Sequence, residues 1–121
     1  MSDRLELVDT SGPVSPRFAH TTTVAIADLV WTRDHKDASG PTHETGTLAR
    51  ATWDDLVAAI GREVAPGTRL DLVGVKRHNK GVAPCHLELV ADGVTTRIDY
   101  LSSETDRRVV AIVLAINSVR P

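Results

Sequence analysis

The stretch Cys85-His86-Leu87-Glu88-Leu89-Val90-Ala91-Asp92-Gly93-Val94-Thr95-Thr96-Arg97-Ile98-Asp99-Tyr100 decides the fold, because it fixes its own register. Asp92-Gly93 carries the signature of a two-residue type I′ turn, whose central residues both need positive φ. Folding the chain there sets Ala91 against Val94, Leu89 against Thr96, Leu87 against Ile98 and Cys85 against Tyr100 on one face. The other face sets Val90 against Thr95, Glu88 against Arg97 and His86 against Asp99. One face is almost wholly apolar and the other carries two opposite-charge pairs, the pattern of a half-buried antiparallel hairpin. A slip of one residue would turn the apolar set outward, so the register is well determined.

Working outward on the N-terminal side, Arg69–Arg77 reads as a strand with Leu70 and Leu72 on one face and a bulge at Gly74. Before it, Trp53, Leu56, Val57, Ile60 and Val64 form one apolar stripe at helical spacing. Thr52 is the expected cap, Asp54 and Asp55 suit the positive helix end, and Ala65-Pro66-Gly67 ends the element. Thr47–Ala51 is a candidate short strand. Residues 32–46 (TRDHKDASGPTHETG) are polar and read as a long loop. Thr21–Trp31 reads as one strand with a bulge near Ala25-Ile26-Ala27-Asp28. Residues 1–17 read as a mobile arm contributing at most one edge strand through Arg4-Leu5-Glu6-Leu7, with a single domain over 18–121.

On the C-terminal side, Ser102-Ser103-Glu104-Thr105-Asp106 offers the hydroxyl and early acids of a helix start. Val109–Ile116 is apolar on every side and rich in β-branched residues, which a buried strand would also favour. The acidic start and the length favour a helix over 104–118. The whole is therefore α+β: an antiparallel sheet of four to six strands with two helices packed on it.

At 121 residues the chain can bury roughly two-thirds of its unfolded surface without staples. Phe18, Trp31, Trp53 and Tyr100 are its only Phe, Trp or Tyr residues, so the core must come from Val, Leu, Ile and Ala. The formal charge of −2 offers nucleic acid or an anionic membrane no overall attraction. The single cysteine, Cys85, permits no internal disulfide, and no Cys/His spacing suits zinc. The start, Met-Ser-Asp-Arg, has no apolar leader and the longest apolar run is far short of a membrane span, so cytoplasmic residence is expected. The Ala/Val/Arg/Asp-rich wording suggests a GC-rich bacterial genome.

The candidate sites are few. His35 and His43, with Asp34, Asp37 and Glu44, could hold a divalent cation if their loop folded back, but their spacing matches no known ligand pattern and a solvated loop is the expectation. Cys85 and His86 are neighbours in a strand and point to opposite faces, so they cannot form a nucleophile–base pair. His20 has no partner visible in the sequence and reads as an ordinary strand-end histidine. No dinucleotide, P-loop, nucleophile-elbow or zinc-protease motif is present. Lys76, Arg77, His78 and Lys80 form the one basic cluster, a candidate contact for an anion or phosphate backbone. From Trp53 to Val119 the expected order of elements resembles that of a double-stranded-RNA-binding domain, which grips RNA with a strand loop and a lysine-rich helix start. Here the helix starts with Glu104-Thr105-Asp106, and residues 53–118 carry eight basic against nine acidic side chains. The order is similar and the chemistry is not.

No catalytic group, metal or cofactor is assigned. The leading expectation is a small non-enzymatic binding or regulatory protein, acting through a protein partner or as a homodimer. Its surface would be the outer side of 109–116, with Val110, Val113 and Leu114. A weak nucleic-acid or anion binder using the 76–80 loop is the alternative, and a small-molecule-binding or cyclase-like pocket between sheet and helices is a third.

Overall fold

The computed structural model describes residues 3–11, 17–73 and 82–121. Seven strands and two helices follow in the order β1 (Arg4–Thr10), β2 (Thr21–Ala27), β3 (Val30–Asp37), β4 (Gly40–Thr47), α1 (Arg50–Glu63), β5 (Arg69–Asp71), β6 (Pro84–Ala91), β7 (Val94–Leu101) and α2 (Arg107–Ser118). One sheet holds them all, ordered β4-β3-β2-β1-β6-β7-β5. The fold is α+β, with a mostly antiparallel sheet and two helices.

The β6–β7 hairpin has the expected register throughout, from Cys85 opposite Tyr100 to Ala91 opposite Val94. Asp92 and Gly93 take φ of 53° and 76°, as a type I′ turn demands. Leu87, Leu89 and Ile98 are buried with Leu5, Leu7, Val24, Ile26 and Trp31 on one face of the sheet. Trp53, Leu56 and Ile60 of α1 and Val109, Ile112 and Ile116 of α2 close over that face. The opposite face is polar: Glu88 receives both Arg4, at 3.0 Å, and Arg97, at 3.2 Å. His86 lies opposite Asp99 but turns to Glu6 at 2.7 Å, because Arg97 already holds both oxygens of Asp99.

Several expectations need correction. The sheet has seven strands, not four to six, because 32–46 is no loop: it supplies most of the β3–β4 hairpin. This outermost pair is exposed on both faces along most of its length, so it carries no apolar alternation to read. The break after Ile26 is no bulge. Asp28 and Leu29 take φ of 49° and 69° and make a second tight turn, which sends β3 back along β2. The Arg4–Leu7 piece lies at the centre of the sheet, paired with β2 on one side and β6 on the other. Its Leu5 and Leu7 are buried, which the flanking Ser/Gly/Pro composition hides. The 47–51 strand is the end of β4 running into α1, which begins at Arg50 with no side-chain cap. Thr52 lies inside the helix. Near the other end of the chain, β5 is three residues long and runs parallel to β7, so the three antiparallel strands expected after α1 are not formed. The bulge proposed at Gly74 lies outside the described residues.

α2 is a helix, as the acidic start implies. Asp106 is its N-cap and accepts from the Arg108 backbone amide at 2.9 Å. After α2 the chain crosses the sheet: Arg120 sits 5.7 Å over the Trp31 ring, and Pro121 fills the space a side chain at Gly46 would need. No helix among the described residues is long and apolar enough to cross a membrane.

Candidate functional site

β1, β6 and β7 end where the core stops being apolar, and there the covered face carries a polar row. Tyr100 is buried and donates its hydroxyl to Asp9 at 3.1 Å. Cys85, opposite Tyr100, receives the Thr10 backbone amide at 3.4 Å and offers its thiol to the Thr10 carbonyl at 3.5 Å. Asp9 lies opposite Thr22 of β2, and Thr22 lies opposite His35 of β3. The Thr22 hydroxyl is 2.7 Å from His35 Nδ1, and His35 Nε2 is 3.0 Å from Asp37. An ionised carboxylate only accepts, so His35 Nε2 donates to Asp37, and Nδ1 and the Thr22 hydroxyl share the second hydrogen bond. His20 stacks on His35 with ring centroids 6.5 Å apart.

The electrostatics of the row favour hydrogen bonding over nucleophilic attack. Burial, with the Asp9 carboxylate nearby, pushes the Cys85 thiol up to about 11. The same two causes carry the Tyr100 hydroxyl well above its ordinary value. Both groups are therefore neutral donors near pH 7, and a thiol held protonated is a poor nucleophile. The Asp37 carboxyl is held below the usual range by the Ser39 amide and by His35. Thr22 is buried, which puts its hydroxyl out of a substrate's reach. Hydroxyl, imidazole and carboxylate are in line here, yet the arrangement is a brace between β2 and β3.

Two hollows flank the row. A groove of about 290 Å³ runs between α2 and the end of β7, lined by Asp9, Tyr100 and Leu101 below and by Val110, Val113, Leu114 and Asn117 along the helix. A second hollow, of about 430 Å³, lies around Thr10, His20, Thr21 and Lys36.

The three residues proposed for an interface fall together on the groove wall. Val110 is 51% exposed and Leu114 67%, one turn apart, while Val113 is partly buried against the core. Val109, Ile112 and Ile116 point inward, so the surplus apolar surface of 109–116 resolves into a buried stripe and an exposed one. Other exposed large apolar side chains (Phe18, Val30 and Val94) stand apart on separate elements, an ordinary condition for a surface. Phe18 is stacked under Arg17.

The basic cluster Lys76, Arg77, His78 and Lys80 lies outside the described residues. The histidine–carboxylate set is divided by the register of β3 and β4. His43 pairs with Asp34 on the open face, whereas His35 lies on the covered face with Thr22, so the two imidazoles cannot share a cation. No group of three or more metal-ligating side chains occurs among the described residues. Sequence reasoning missed the polar row altogether. Its members come from five strands, and only the β1–β2 and β1–β6 pairings bring Asp9 beside Thr22 and Cys85.

No family model, curated protein or solved structure matches this chain.

Proposed function

We propose that this is a non-enzymatic binding protein that engages another protein chain through the outer face of α2. One observation carries the reading: Val110 and Leu114 expose neighbouring aliphatic side chains on a rim continuous with an apolar-walled groove. A helix at the surface needs one apolar stripe, and α2 has a second. A contiguous exposed apolar patch of this kind marks a contact site more often than a free surface. The neutral, buried state of Cys85 and Tyr100 supports binding over catalysis, because neither is poised to attack. The charged open face of the sheet supports the same assignment by contrast. Its arginines are matched by Glu88 and Asp99, which leaves no concentrated charge there to attract a polyanion.

The test compares wild type with Val110→Glu and Leu114→Glu in native extracts of the cells that make the protein. Wild type should migrate in size-exclusion chromatography above its 13.0 kDa chain mass. Either variant should fall to the single-chain position with its melting temperature nearly unchanged, since both side chains are already in water. Variants that migrate like wild type would contradict the reading.

A further inference from the structure

The exposed stripe of α2 is self-complementary. Arg107, Val110, Leu114 and Asn117 recur at helical spacings of three, four and three along one side of the helix. We propose that the partner is a second copy of this chain, packed α2 against α2 in antiparallel fashion about a twofold axis at Ile112; the inference rests on the binding surface assigned above. In that register Val110 meets Leu114 of the other copy and Arg107 meets Asn117, each contact occurring twice, while Ala111 flanks Ala111 and Val113 flanks Val113 across the axis. An isologous interface requires such reciprocity.

Charge favours this orientation. Arg108 is held by Asp106 at 2.9 Å, whereas Arg107 is exposed and makes no ion pair among the described residues. Antiparallel packing brings Arg107 to the partner's helix C-terminus, the negative end of its dipole. The Asn117 amide and the Asp9 carboxylate line the groove at that end. A parallel arrangement would instead set Arg107 against Arg107. Small Ala111 beside its own counterpart lets the helices approach closely, and the groove beside Leu114 gives the incoming aliphatic side chain a place to enter. Two twelve-residue helices cover less than the roughly 1,600 Å² of a standard interface. The dimer is therefore reversible.

Sedimentation equilibrium of the purified chain tests the assembly, and disulfide trapping tests the register. Buried Cys85, with its thiol pushed up to about 11, is a poor competitor in the trapping. Wild type should show a monomer–dimer equilibrium that Val110→Glu weakens at least about tenfold and Arg107→Glu weakens several-fold. Under mild oxidation, a mixture of Val110→Cys and Leu114→Cys chains should form more covalent dimer than either alone. A wild type that stays monomeric at about 0.5 mM overturns the proposal. So does a Val110→Cys chain that cross-links to itself as well as the mixture does. If the purified chain is monomeric while Val110→Glu still abolishes the larger species in native extract, the binding surface stands and the second copy is replaced by a different protein. If neither behaviour is seen, both readings fall.

Discussion

Leu87 and Glu88 are neighbours in β6 whose side chains lie on opposite faces of the sheet, and the contrast between them measures what holds the sheet. Leu87 is 1% exposed among the core aliphatics, so Leu87→Ala should cost about 2–5 kcal/mol in urea or thermal unfolding. Glu88 keeps about a quarter of its side chain in water while bridging Arg4 and Arg97. Screening limits such a bridge, so Glu88→Ala should cost about 1 kcal/mol or less. Cys85 supplies a pH signature of the same core. Burial raises its folded value from 9.0 to about 11, so the unfolded chain loses this proton first as pH rises. The stabilisation is complete below pH 9 and is lost progressively up to about pH 11. Cys85→Ala should flatten that part of the alkaline limb in a stability-versus-pH titration. An unchanged slope would mean that the thiol is more hydrated than the fold implies.

At the scale of elements, legibility followed burial. The β6–β7 hairpin and α1 were readable because each buries one face and therefore writes a period into the sequence, two for the strands and 3.6 for the helix. Beyond buried Trp31 the β3–β4 hairpin has no fully buried side chain, so Thr32 to Gly46 carries no such period and resembles a loop. Central β1 was hidden by its neighbours, since only Leu5 and Leu7 mark it as buried. The polar row was invisible for another reason: Asp9, Thr22, His35 and Cys85 are far apart in sequence and meet only through strand order. The three α2 interface candidates were legible because eight consecutive apolar residues exceed what one helix face can bury. The helix starts give a matched test. Thr52 lies within α1, while Asp106 caps α2 and accepts from Arg108 through both backbone and side chain. Thr52→Ala should leave the melting temperature nearly unchanged, and Asp106→Ala should lower it. The Arg108 guanidinium and the capped amide hold the Asp106 carboxyl down at about 2. Its contribution is therefore present above about pH 4 and fades as pH falls toward 2, so Asp106→Ala should converge with wild type only in acid.

For the whole molecule, the layout separates two jobs. The open face of the sheet is a charge-matched, solvated surface, and the covered face builds the core. Among the described residues, the outer side of α2 and the groove beside it leave neighbouring aliphatic side chains, Val110 and Leu114, outside both arrangements. The most direct measurement of that claim is site-specific photocrosslinking in the cells that make the protein. A benzophenone side chain replaces Leu114 in one experiment and Asp54, exposed on α1, in another. Position 114 should yield a discrete adduct, at twice the 13.0 kDa chain mass if the occupant is a second copy, and position 54 should yield none. Absence of any discrete adduct at 114, or equal adducts at both positions, would contradict the account.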